Sequence, residues 1–511
     1  MFRSAKLWLL FALVIIIVNS NLLILAAGLS EGEHLGKAIA GDGDYPTYLA
    51  KMKIGLDGGW RYINRYTTEP HDPSYLFLFY ILLGHLAGIF KLNLHITYHA
   101  ARFILAFFAL KVLYDFIKKY WDEREPATVL LLAVFLSGSY LFNIDGVPQC
   151  HIYSGMMGYT HYMLTLICLL KFFESVLDYD QDRRGRHIGK AIVTLNILAA
   201  VHPFMVVLAG LVITGTVIMT GKLARTFSIL AAAALSSTPL MFYYFYVFTY
   251  NPVLAGWREQ AATSHFFLTH LFLYGLGSLF AYFTIISWAR GKVVLGDASK
   301  LFAVWLFTAL SLSYTGLITS RIQWFFFASL PVACLAYKFI KHLDTRAGFK
   351  VRLKGRSVVA WLLLLILVLP SFSVIFLMDC RAFRIIGHKE EFTANIIPPE
   401  DMKCFEWLKT NAGKNDIIMA DIDTGNLIPF VTGSCTFIGH THETMDYSNK
   451  KAQVDKFMKE GYTEGEARDF LKKNRIRYVI KKNLGRTGYA FLKPVMAGKS
   501  FTVYVFDGLK Q

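Results

Sequence analysis

The chain has 511 residues, of which 55% are hydrophobic, 15% aromatic and only 17% charged, with a formal net charge of +17. Soluble domains carry about 25% charged residues, so a soluble globular protein is excluded, as are disordered, collagen-like and disulfide-rich scaffolds. The positive excess follows topology, not nucleic-acid binding, because the lysines and arginines punctuate apolar runs and gather in alternate loops. Six cysteines occur without any C-x-x-C spacing, which gives neither a zinc motif nor a readable disulfide pairing.

In chain order, Arg3 and Lys6 precede an apolar stretch at 7–29, long enough to cross a hydrocarbon core of about 30 Å. A cleaved signal peptide is the rival reading, but the stretch exceeds an h-region of about 7–15 residues. Ten further apolar runs fall at 97–117, 127–143, 158–177, 190–201, 203–221, 226–248, 265–289, 301–318, 322–340 and 357–378. Lys118 and Lys119, Arg183 to Lys190, Lys222 and Arg225, Arg290 to Lys300, and Lys338 to Arg356 mark the cytoplasmic loops. The expected fold class is therefore a polytopic α-helical membrane protein with 11 spans, its N-terminus cytoplasmic and its C-terminus outside. Residues 74–92 are apolar enough to span, yet a crossing there would put Lys118, Lys119 and the 183–190 arginines outside. Parity therefore predicts a juxtamembrane or re-entrant helix, interrupted by Gly84, His85 and Gly88. The expected division is a membrane module at 1–378, with a first outer loop at 30–73, and an extracytoplasmic domain at 379–511. In the latter, mixed charge and strand patterns such as RYVIKK (477–482) and FTVYVF (501–506) alternate with helical stretches, predicting a small α/β domain.

The first outer loop carries the best chemical signal. It reads Gly41-Asp42-Gly43-Asp44-Tyr45-Pro46, with Asp44 placed to cap a helix and Pro46 in its first turn. Tyr45, Tyr48, Leu49, Met52 and Leu56 then recur at helical spacing, an apolar face suited to the membrane surface. Asp42 and Asp44 at the head of such a helix suit a divalent cation, Mg or Mn, or one of them suits a general base. The plain alternative is a solvated turn in which Asp44 only caps the helix. Downstream, Pro70 and Pro73 fix an extended turn that holds Glu69, His71 and Asp72, and there Glu69 and His71 can orient a sugar or an acceptor. Arg102 opens the following span and Arg321 lies between two later ones. Each suits a lipid phosphate, or snorkels to the interface.

These residues carry a resemblance. An acidic outer loop, a juxtamembrane segment and a span with an early arginine resemble the GT-C glycosyltransferases, polytopic enzymes that use polyprenyl-phosphate-linked donors. The protein O-mannosyltransferases and the aminoarabinose lipid A transferases are distant examples. The nearer likeness is to poorly characterised bacterial and archaeal members, whose outer loop resembles D-Y-x-x-Y-L-x-K-x-x-x-G-x-x-G-x-W…Y-T-x-E, matched from Asp44 through Trp60 to Glu69. Their C-terminal T-G-N-x-I-P…T-G…G-H…E-T is matched by Thr424-Gly425-Asn426, Ile428-Pro429, Thr432-Gly433, Gly439-His440 and Glu443-Thr444. The His-Pro-Pro run of the mannosyltransferases is replaced by Glu69-Pro70-His71-Asp72-Pro73, so acceptor class and donor sugar do not carry over. The resemblance implies a plasma-membrane enzyme that transfers sugar from a lipid-linked donor to an extracytoplasmic glycan, lipid or protein acceptor by inverting displacement. It makes Asp44 the base and Asp42 its helper or fellow metal ligand, and places Glu69, His71, Arg102, Arg321, His440 and Glu443 around the substrates. Two rivals remain in other classes: a transporter of lipids or lipid-linked saccharides, which needs charges deep in several spans, and a non-enzymatic assembly protein, which would tolerate loss of Asp44.

Overall fold

The computed structural model describes residues 2–41, 43–123, 125–138, 150–260, 269–315, 321–346, 352–353, 356–388, 394–482 and 488–509. The chain is chiefly helical and forms two compact units. One gathers Met1–Ser20, Ala101–Phe245 and Ala262–Met378; the other gathers Asn21–Ala100, Tyr246–Ala261 and Asp379–Gln511. The stretch after residue 378 thus shares its unit with the first outer loop.

The first unit is a bundle of apolar helices. By length and composition, three helices among the described residues can cross a membrane: Thr160–Asp182, Leu223–Tyr250 and Val358–Gly387. A fourth is reached if the consecutive helices Ala5–Val18 and Ser20–Ala27 are one broken span. The 11 spans that the apolar runs suggest are not all reached by this criterion among the described residues, and parts of the runs at 127–143, 265–289 and 301–318 lie outside them. An apolar run specifies burial but not an unbroken helix. The runs at 190–201 and 203–221 form the two helices Gly185–Val201 and Pro203–Met219, separated at His202 as the sequence suggests, and each has only 17 residues. Pro126–Phe135, Leu276–Ala289 and Lys300–Ser313 are shorter still. Within the bundle Gly138 meets Gly275 backbone to backbone, where an added Cβ would lie 1.9 Å from the Gly275 nitrogen.

The second unit holds everything needed to place the outer-loop motif. Its helix Asp44–Leu56 crosses the helix Leu78–Phe90 at a pair of glycines. A Cβ on Gly55 would lie 1.9 Å from the Ile81 carbonyl oxygen, and one on Gly84 would lie 1.8 Å from that of Met52. Only glycine allows backbones this close. Leu78–Phe90 has 13 residues, about 20 Å of helix, against a hydrocarbon core of about 30 Å. The apolar face of Asp44–Leu56 is not laid on lipid, as its spacing suggests. Tyr45, Leu49 and Met52 are fully buried in protein, with Tyr48 stacked on Tyr80 and Tyr45 edge-on to Tyr98. A hydrophobic helical face records burial without naming the partner, and here aromatic side chains of the same unit supply it.

The C-terminal part is α/β. Its five-stranded sheet runs in the order Cys435–Thr436, Ile417–Met419, Ile476–Lys482, Phe501–Phe506, Leu492–Ala497. The first three strands are parallel and the last two pairings antiparallel. Met419, Phe437, Ile438, Val454, Phe457, Leu471 and Val479 form its core with the helices Tyr447–Met458 and Glu464–Lys473. A short antiparallel pairing of His34–Leu35 with Ile396–Ile397 stitches the outer loop to this domain.

Candidate active site at the head of the Asp44 helix

The helix Asp44–Leu56 starts at Gly43, which occupies the cap position without a side-chain hydrogen bond. Asp44 is therefore the first helical residue, not the cap its sequence position suggests. Its carboxylate turns instead to the C-terminal domain, where Oδ1 accepts a hydrogen bond of 3.0 Å from Nε2 of His440. The Asp44 side chain remains 39% exposed and that of His440 only 7%. One carboxylate oxygen is thus held while the group stays open to an incoming molecule.

Two motifs that are far apart in sequence build this contact. In Gly439-His440, a Cβ at position 439 would strike the Gly425 carbonyl and the Tyr66 ring, and one at Gly425 would lie 2.1 Å from the Ile438 carbonyl. The pair lets the helix Ile422–Thr432 pack tightly on the His440 loop. That loop is closed by Gly439 N–H donating to Thr444 Oγ1 and by Thr444 N–H donating to the His440 carbonyl. Asn426 donates through Nδ2 to the Gly43 carbonyl at 2.8 Å, and Tyr66 donates through its hydroxyl to the Asn426 carbonyl. The residue just before Asp44 is thereby fixed to the T-G-N turn of the helix.

Two turns along the Asp44 helix lies Lys51, on the same face as Asp44 and Thr47. Lys51 and Glu443 form a buried ion pair of 2.6 Å, their side chains 3% and 7% exposed. Every strong group there is matched. Lys51 also donates to Thr47 Oγ1 and lies over the Phe77 ring, the Tyr62 hydroxyl donates to the second Glu443 oxygen, and Asn64 donates to the Glu443 carbonyl. Burial, and then the Glu443 charge and hydrogen bond, push the Tyr62 hydroxyl well above its ordinary range, so it stays a donor. Glu443, expected near substrate, is the anchor of Lys51.

Burial alone would raise the Asp44 carboxyl. The His440 hydrogen bond, with the nearby charges of Lys51 and His442, outweighs it and holds the group below the ordinary aspartate range. Glu69 behaves similarly. Burial raises it, but Lys450 at 2.7 Å and the Thr67 hydroxyl lower it further. His71, the neighbouring candidate, donates from Nδ1 to the Glu69 carbonyl and accepts at Nε2 from the Asn64 amide. Both ring nitrogens are used in shaping the loop. Arg102 and Arg321 lie in the first unit. Arg102 is 1% exposed and donates to the Met157 carbonyl, while Arg321 is exposed at the start of a short 3-10 turn.

Asp42, the other carboxylate of the D-G-D triplet, lies outside the described residues. Mg and Mn take up to about six oxygen ligands. Among the described residues no three His, Cys, Asp or Glu side chains are placed to hold a metal ion. Asp44 itself faces an N–H donor and has an ammonium group nearby, so the described residues do not fit a Mg or Mn site.

No protein-family model matches the sequence, and neither does any curated protein. Solved structures do. The chain is similar to the archaeal oligosaccharyltransferase AglB from Archaeoglobus fulgidus, solved with an inhibitory peptide and a dolichol-phosphate (14% identity over 94% of this chain and 69% of that one, TM-score 0.56). It is also similar to ArnT from Cupriavidus metallidurans bound to undecaprenyl phosphate (12% identity, 98% of this chain and 99% of that one, TM-score 0.51). A third likeness is to the arabinofuranosyltransferase AftD from Mycobacteria (12% identity, 97% of this chain and 41% of that one, TM-score 0.53). The chain has the GT-C fold.

On this GT-C fold, sequence reasoning singled out Asp44, His440 and Glu443, and the second unit brings all three together. It gave no site role to Lys51, Tyr62, Asn64 and Asn426, although Lys51 and Asn426 stand in the two motifs it matched. The signal for Lys51 was present, because a lysine on the Asp44 face of a helix has to find an anion when that face is buried. It missed as well the Tyr45 hydroxyl, which sits 2.7 Å from His95 Nδ1 and 3.0 Å from His99 Nε2.

Proposed function

We propose that this protein is an integral-membrane glycosyltransferase that moves a sugar from a polyprenyl-phosphate-linked donor to a hydroxyl acceptor on the outer side of the plasma membrane. The observation that carries the reading is the Asp44 carboxylate, held at one oxygen by His440 and open elsewhere, at the head of an outer-loop helix in a GT-C fold. AglB and ArnT, with which the chain shares that fold, have been solved with dolichol-phosphate and undecaprenyl phosphate respectively. In the proposed reaction the acceptor oxygen attacks the anomeric carbon while its proton passes to Asp44. The carbon–oxygen bond to phosphate breaks, polyprenyl phosphate leaves with the electron pair, and the anomeric configuration inverts. An aspartate held below its ordinary range is a weak base. Its contribution is proximity to a hydroxyl that acidifies as the new bond forms. Glu69 and His71 are the proposed shapers of the acceptor side, with the 30–73 loop and 379–511 domain both outside.

The test is transfer of radiolabelled sugar by the purified full-length protein from a panel of polyprenyl-phosphate sugars. We expect product from at least one donor, with the anomeric configuration opposite to that of the donor. Absence of transfer from every donor, together with movement of intact lipid-linked sugar across vesicles, would favour a transporter and overturn the proposal.

A further inference from the structure

Resting on the reading of Asp44 as the reacting carboxylate, we infer that His440 is a positioning residue that donates from Nε2 to fix one oxygen of Asp44, and is neither the proton acceptor nor a substrate ligand. A histidine beside an aspartate invites the opposite assignment, in which the carboxylate orients the ring and the ring takes the proton. The hydrogen bonds decide between them. Nδ1 of His440 lies 3.3 Å from the backbone nitrogens of both His442 and Glu443, and both are N–H donors. A ring nitrogen that accepts from an amide carries no proton. The ring proton is therefore on Nε2, which faces Asp44 Oδ1 at 3.0 Å.

Both ring nitrogens are thus committed, one to the backbone and one to Asp44, and neither is left to meet a hydroxyl. A base that works through an orienting carboxylate needs its second nitrogen turned to substrate. Here the second nitrogen is turned inward and the ring is almost completely buried. The loop around it is built for holding: Thr444 closes the turn at both ends, and Glu443, whose amide meets Nδ1, is itself anchored by Lys51. The charged groups near Asp44 are Lys51 and His442. Lys51 is spent on Glu443, so His440 is the group whose hydrogen bond sets the carboxylate's direction.

The consequence is specific in kind. Losing the hydrogen bond leaves the donor site untouched but lets the carboxylate swing, so the loss falls on turnover. A glutamine at this position can offer an amide N–H from nearly the same place as Nε2, whereas asparagine is too short. The experiment has two arms on the full-length protein. In the first, histidine is labelled with nitrogen-15 and the His440 resonances are identified by their loss in His440→Gln. The expected spectrum places the proton on Nε2 with Nδ1 unprotonated, and a proton on Nδ1 overturns the inference. In the second, transfer from an accepted polyprenyl-phosphate sugar is compared in His440→Ala, His440→Gln and His440→Asn. We expect kcat to fall roughly 10- to 100-fold in His440→Ala with the donor KM within about twofold, and His440→Gln, but not His440→Asn, to recover most of the loss. Equal losses in the alanine and glutamine variants, or a loss carried by KM, overturn it. Full turnover in Asp44→Asn would defeat the functional reading instead, and the nitrogen-15 arm would still read the ring on its own.

Discussion

Asp44 and Glu443 are two carboxylates of one structural unit, one touching the 439–444 loop of the C-terminal domain and the other belonging to it, and they differ in what remains to them. Glu443 is 7% exposed, with Lys51 on one oxygen and Tyr62 on the other. Asp44 is 39% exposed, with His440 on one oxygen. A carboxylate whose lone pairs are all matched is committed to holding the structure together, because any substrate would first have to break a buried ion pair. One that is held at a single point is oriented yet still available. On the proposed reading, the difference separates a residue that assembles the site from one that acts in it.

The largest effect expected from this comparison is on stability. Lys51→Met leaves Glu443 buried without its cation, which costs about 3–5 kcal/mol. Removing both charges with Glu443→Leu in the same chain should restore much of that loss. Denaturant unfolding of the purified protein in detergent measures it, and an unchanged midpoint for the single variant would break the distinction. Next in size is the glycine crossing that carries the Asp44 helix. Gly84→Ala drives a Cβ into the Met52 carbonyl and should cost about 1–3 kcal/mol by overpacking. Gly88→Ala, one turn away with its Cβ at 3.6 Å from a Leu56 methyl, should stay within about 0.5 kcal/mol. Equal tolerance of the two would show that the close approach is not what positions the helix.

The smallest effect sharpens the role of Glu69. Its carboxyl is lowered on folding by Lys450 and Thr67 against the opposing effect of burial. The ion pair therefore contributes stability above the unfolded value, about 4.3, and loses it as pH falls through the lowered folded value. With the side chain 40% exposed, about 0–1 kcal/mol is at stake. The melting temperature of wild type should exceed that of Glu69→Gln at pH 7, and the gap should close as pH falls below about 4. A gap that widens in acid would contradict the assignment of Glu69 to a structural pair.

Much of the second unit was legible because its signals are local. RYVIKK and FTVYVF alternate as strands should, and they pair with each other. The strand Leu492–Ala497 was hidden by Pro494 in its middle, where the register also shifts. The helix Ile422–Thr432 was hidden by Gly425 and Pro429, which read as a turn. Its Asp421 cap, accepting from the amides of Asp423 and Thr424, compensates for both. Within the site, Asp44 was legible from its triplet, but the Lys51–Glu443 pair joins residues 392 positions apart, and no local pattern carries such a contact. The apolar face of the Asp44 helix was read as suited to the membrane surface, whereas Tyr45, Leu49 and Met52 are buried in protein, since periodicity reports an apolar face and is silent about its partner.

The central claim is that Asp44 is the carboxylate that acts. Its most direct test is single-turnover transfer from a bound polyprenyl-phosphate sugar by Asp44→Asn, with donor binding measured in parallel. The variant keeps the size of the side chain and an oxygen to accept from His440, but it removes the anion. The account predicts unchanged donor affinity and a fall in the transfer rate of at least roughly two orders of magnitude, the usual scale for loss of a general base. Near-normal transfer with normal binding would contradict it and leave Asp44 as a first-turn residue with a structural hydrogen bond.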